Sequence, residues 1–164
     1  MKTLRLQRKE ILSDCIHGIL TVDGTRFSCY TLEAKCVEGE FPKNPTFAFA
    51  LPTGEFKVRI TNWEWYPLVP MIIHRPYINI GLKECPAKGP RAGDVCVGTD
   101  YINDRYLRGY ATVIEVLENI IKQDIYDWRN STKLIIENAH DCVHRDNASI
   151  EQDFMDFTNS YSDE

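Results

Sequence analysis

A thiol and an imidazole are the groups of this chain best suited to covalent chemistry. Gly93-Asp94-Val95-Cys96-Val97-Gly98 sets a cysteine between two glycines, and Met71-Ile72-Ile73-His74 ends an apolar run on a histidine. A cysteine attacks a carbonyl as its thiolate, so it needs a base or positive field nearby and backbone N–H groups aimed at the developing oxyanion. Cys96 is the candidate nucleophile, His74 the candidate base, and Asp94 the acidic neighbour. A loop holding Gly89, Pro90 and Gly93 would leave backbone amides free for the oxyanion, and Lys88 and Arg91 would favour the thiolate if they point inward. Trp63, Trp65 and Tyr66 are candidates for a stacking wall against a sugar or peptide, with Arg75 and Arg91 as candidate binding cations. Such an aromatic cluster more often closes a small β core.

Two further constellations carry soft ligands. His140, Cys142 and His144 would share one face of an extended segment, and Cys15-Ile16-His17 has the same character with weaker support. Neither brings a fourth ligand at defined spacing, so no metal and no cofactor is expected. Asp124 and Asp127 lack the loop spacing of a calcium hand and read as solvated charge.

The elements that must position these groups are mostly strands. Leu4 to Arg8 alternates apolar and polar residues, and Gly18 to Val22, Asp23-Gly24 and Arg26 to Tyr30 read as a hairpin about an Asp-Gly turn. Glu38 to Thr46 reads as a loop, Phe56 to Thr61 as an alternating strand, and Met71 to His74 as a short apolar one. A long Gly- and Pro-bearing loop is expected from Arg75 to Ala92. Leu107, Tyr110, Ala111, Ile114, Leu117 and Ile121 recur at helical spacing, predicting a helix over Asp104 to Gln123 with Asp104 as its cap. Thr132 to Glu137 suits either a strand or a short helix.

The 164 residues fit a single β-rich domain over 1–146, followed by an acidic tail over 147–164. A formal net charge of −5 with no basic cluster argues against a nucleic-acid partner. No apolar run nears the ~20 residues of a membrane span, so no membrane insertion is expected. Met1 to Glu10 breaks its apolar residues with charge, so synthesis in the cytoplasm without a Sec signal is expected. Six cysteines without a C-x-x-C pair are expected to be reduced, mostly as small apolar fillers.

Pro52-Thr53-Gly54-Glu55-Phe56, Ile73-His74 and the glycine-flanked cysteine resemble, in their order, the motifs of the L,D-transpeptidase fold. A closer resemblance is to a family of small bacterial and phage proteins of uncharacterised function that is similar to that fold. That family carries a T-L-E segment, P-x-G-x-Y, I-H and G-C-I-x-V-G before a C-terminal helix. Thr31-Leu32-Glu33, Pro52 to Phe56, Ile73-His74, Gly93 to Gly98 and the predicted helix stand in that order here. The resemblance implies a mainly β fold with one packed C-terminal helix (α+β), an L,D-transpeptidase-like β sandwich or barrel.

Two registers are open at the cysteine. Aligning Cys96 with the transpeptidase nucleophile puts Asp94, Val95 and Gly98 where that motif has its histidine, glycine and arginine. The gap-free alignment to G-C-I-x-V-G keeps both glycines and places Asp94 at the nucleophile position. It is favoured, and a carboxylate is a poor nucleophile toward amides. The expected function is therefore a noncatalytic module, structural or binding cell-wall peptide, within a phage or mobile-element assembly such as a virion. The alternative is a cysteine-dependent acyltransferase or peptidase acting on peptidoglycan stem peptides through a thioester.

Overall fold

The computed structural model describes residues 2–35, 50–63, 66–74, 77–86, 90, 93–122 and 132–145, with the backbone alone at 59–63, 66–74, 77–81 and 122. Among the described residues the chain is mainly β with one helix. The expected tail over 147–164, the loop from Glu38 to Thr46, and Asp124 and Asp127 lie outside the described residues.

Strand β1 (Thr3–Leu12) buries Leu4, Leu6 and Arg8 on one face, as an alternating strand must. It pairs antiparallel with β2 (Cys15–Val22), which turns through Asp23 and Gly24 into β3 (Ser28–Ala34). Gly24 takes φ 77°, the left-handed conformation that makes Asp-Gly a turn signal. The Thr25 hydroxyl closes that turn by donating to the Val22 carbonyl at 2.8 Å.

Strands β4 (Gly54–Trp63), β5 (Tyr66–His74) and β6 (Tyr77–Lys83) form an antiparallel meander, so the expected loop from Arg75 to Ala92 contains a strand. Tyr77 to Lys83 alternates well enough to be one, but Pro76, Gly81 and Pro86 disguise it as loop. Strand β7 (Val95–Gly98) follows and pairs parallel with β6 and antiparallel with β3.

The helix starts later than its spacing predicts. Residues Asp100–Asn103 and Tyr106–Arg108 are strands β8 and β9 of a hairpin, and α1 runs only over Tyr110–Lys122. Asp104 sits in the hairpin turn rather than at a helix cap, and the Asn103 side chain accepts from the Arg105 N–H at 2.8 Å. Gly109 at φ 86° separates the two elements. Leu107 is buried from β9, Ala111 is exposed, and Val113 joins Ile114, Leu117 and Ile121 on the buried stripe.

The last described element, β10 (Thr132–Arg145), is a strand that buries Thr132, Leu134 and Ile136 in alternation. It pairs parallel with β1 and antiparallel with β4, which closes the ring β1-β10-β4-β5-β6-β7-β3-β2. The seam between β6 and β7 is narrow, with Leu82 opposite Val95 and Lys83 opposite Cys96. Inward residues such as Leu4, Leu20, Val58, Val97 and Leu134 form one core with the apolar stripe of α1. A second cluster, containing Leu12, Cys15, Leu32, Cys85, Cys96 and Leu107, lies on the other face of β2, β3 and β7, beneath the β8–β9 hairpin.

Candidate functional site

Alternation along β7 decides where its thiol goes. Val95 and Val97 join the inner core, so Cys96 points to the opposite face and enters the outer cluster, where it is fully buried. Burial pushes its pKa upward, and the adjacent Cys85 thiol adds to the shift while Lys83 opposes it only weakly. A thiol so placed stays protonated and is a poor nucleophile.

His74 does not reach it. Met71 stands opposite Gly81 across β5 and β6, and Cys96 stands opposite Lys83, so Cys96 is level with Val69. His74 lies five residues farther along β5, about 16 Å at ~3.3 Å per residue. Asp94 is also buried, 4% exposed, and its carboxylate pairs with Lys83 Nζ at 3.3 Å instead of lining an open cleft.

The two glycines of the motif have structural work at these positions. Gly93 takes φ 75° where the chain turns into β7. At Gly98 an added Cβ would collide with the Arg108 carbonyl oxygen, so the glycine lets β9 approach the barrel. Of the Thr31-Leu32-Glu33 segment, all three residues are buried. Glu33 accepts from Arg8 Nη2 at 2.8 Å and from Nε at 3.0 Å inside the barrel.

Among the aromatic candidates, Trp63 and Tyr66 are backbone partners in the β4–β5 pairing. Trp65, Arg75 and Arg91 lie outside the described residues, as do Lys88 and Gly89. His140, Cys142 and His144 fall on β10 near a register shift: Arg8 pairs with Asn138 but Glu10 with Val143. That irregularity breaks the alternation that would align the three on one face. Among the described residues no three His, Cys, Asp or Glu side chains are grouped to hold a metal ion.

The better-formed polar constellation surrounds Cys15 and His17. Cys15 Sγ lies 3.9 Å from His17 Nε2, and His17 Nδ1 lies 3.5 Å from Glu10 Oε2. Both Cys15 Sγ and His17 Nε2 donate to the Asp104 carbonyl oxygen, at 3.1 and 2.7 Å. Glu10 and Cys15 thus face opposite ring nitrogens, which is why the three cannot share one metal ion. The Tyr101 ring stacks on His17 with centroids 4.3 Å apart, and Tyr30 tilts against Tyr101 at 5.0 Å. The i, i+2 spacing of Cys15 and His17 is the only trace of this group in the sequence; Glu10, Tyr101 and Asp104 carry no local signal.

Beside Tyr30 opens a cleft of about 290 Å³ lined by Ile19, Ser28, Cys29, Tyr30, Thr99 and Val113. Its Cys29 thiol is held protonated, pushed up to about 12 by burial. Among the described residues no helix is long and apolar enough to cross a membrane. No family model, curated protein or solved structure matches the chain.

Proposed function

We propose that the chain is a noncatalytic, L,D-transpeptidase-like β module, structural or cell-wall-peptide-binding, serving as a part of a phage or mobile-element assembly. The observation that carries this reading is the Cys96 thiol, fully buried on the outer face of β7 with its proton held by burial. Acyl transfer needs an accessible thiolate beside a base, and the β5–β6–β7 register keeps His74 distant. Asp94, the residue at the nucleophile position in the gap-free register, is engaged by Lys83. The cleft at Tyr30 is the place for a short peptide, with an exposed ring to stack on and the Ser28 and Thr99 hydroxyls at its rim.

Intact-mass analysis after incubation with tetrapeptide and pentapeptide wall stems tests the reading, with Cys96→Ala as control. No adduct at Cys96, together with slow alkylation of Cys96 in the folded protein, is expected. An adduct lost in Cys96→Ala would instead make the chain a working cysteine acyltransferase.

A further inference from the structure

We propose that Cys15, His17 and Glu10 form a masked thiol nucleophile for acyl donors, uncovered when the β8–β9 hairpin lifts off the barrel. Cys96 lies in the cluster beneath the same hairpin, with Cys85 rather than an imidazole beside it. A single thioester formed on Cys15 is capture without turnover, so it goes beyond the noncatalytic reading without replacing it. Cys15 and His17 stand two residues apart on β2 and share its outer face. The sulfur lies 3.9 Å from Nε2, and Glu10 Oε2 lies 3.5 Å from Nδ1. Thiol, imidazole and orienting carboxylate are the arrangement by which a base activates a nucleophile.

The Asp104 turn sets whether that base works. A carbonyl oxygen only accepts, so with Asp104 in place Nε2 carries the proton and offers the thiol no lone pair. Lifting the turn removes that acceptor. Glu10 then holds the proton at Nδ1, and Nε2 can take the proton of Cys15. With an ester as acyl donor, the sulfur bonds to the carbonyl carbon and the C–O bond breaks. The departing alkoxide takes the proton from His17, leaving a thioester on Cys15 and an alcohol.

The hairpin is held by identifiable contacts. The Tyr101 hydroxyl donates to the Thr31 carbonyl at 2.7 Å and accepts from the Gly18 N–H at 3.2 Å, and Arg105 pairs with Asp14. Gly98 and Gly109 bracket the hairpin.

The full chain is incubated with p-nitrophenyl acetate and the acetylated residues are mapped by mass spectrometry. Acetylation of Cys15 ahead of Cys29 and Cys96 is expected. The rate should rise about two- to fivefold in Arg105→Ala, the shift an exposed ion pair can give, without disturbing the core. It should fall at least ~100-fold in His17→Gln, the loss expected of a general base. Glu10 Oε2 also accepts from Arg145 Nη2 at 2.9 Å. Glu10→Ala should slow the reaction and Arg145→Ala should not, a difference that a purely structural role for that ion pair would not produce. Equal acetylation of Cys15 and Cys29 in Arg105→Ala, or a Cys15 rate indifferent to His17→Gln, overturns the proposal.

Discussion

Replacing Arg8 by methionine should destabilise the protein by about 3–5 kcal/mol, the range for breaking a buried ion pair from one side. Arg8 follows Leu4 and Leu6 on the inward face of β1 and is 3% exposed, while Glu33 opposite it is 1% exposed. The guanidinium grips both carboxylate oxygens, at 2.8 and 3.0 Å, and donates a further bond of 2.6 Å to the Leu51 carbonyl. Arg8→Met leaves a carboxylate inside the barrel without its cation, and that desolvation penalty dominates the loss. For a chain of this length, 3–5 kcal/mol corresponds to a fall in Tm of roughly 6–20 °C. Urea unfolding would show it as a lower midpoint with an unchanged slope. The double variant Arg8→Met/Glu33→Leu should recover most of the loss, because an apolar pair of similar volume carries no desolvation cost. A single-variant loss below ~1 kcal/mol, or a double variant as unstable as the two singles summed, would show that Arg8 and Glu33 are not coupled as a buried pair.

Other substitutions probe separate joints of the fold. Gly18→Ala should cost about 1–3 kcal/mol by overpacking, read as a lower urea midpoint, because its Cβ would lie 2.7 Å from Thr31 Oγ1 and 2.8 Å from the Gln7 carbonyl oxygen. Gly109→Ala, at φ 86° and against Thr99, should likewise lower Tm, by an amount corresponding to about 1–3 kcal/mol of backbone strain and contact. Above pH 9 the protein should lose stability: the unfolded chain sheds the Cys29 proton near 9.0, whereas the native state holds it to about 12. That contribution is complete below pH 9 and gone above about 12, so urea midpoints should fall from pH 9 upward and fall less steeply in Cys29→Ala. Tyr101→Phe should loosen the hairpin, with faster amide exchange at Asp100 to Arg108, through the lost bond to the Thr31 carbonyl.

Strands that alternate cleanly are legible in the sequence alone: β1, the β2–β3 hairpin and β4 follow from local pattern and an Asp-Gly turn, while β5 shows only its apolar end, Met71 to His74. Tyr77 to Lys83 is not, because prolines and a glycine around it carry loop signals that its cross-strand pairing overrides. The helix start is obscured because Leu107 falls at helical spacing from Tyr110 and Ile114, yet Gly109 divides them. Arg8 gives no sign of burial, since its partner Glu33 becomes a neighbour only through the β1–β2–β3 pairing. The Cys96 motif is legible as a motif but not as a site. Which face of a four-residue strand a side chain takes depends on a one-residue phase that its own sequence leaves open.

The parallel pairing of β1 with β10 also sets a timetable for the ring. Thr3 lies beside Lys133 and Leu12 beside Arg145, so β1 waits for nearly the whole described chain before it gains its second neighbour. On a ribosome, the β1–β2–β3 hairpins can assemble early but present an unpaired edge until β10 emerges. Closure is therefore a late, long-range step whose entropic cost precedes its contacts. A stall in synthesis before β10 would leave an open sheet with the β1 edge available to the same segment of another nascent chain, a route to strand exchange that the finished ring removes.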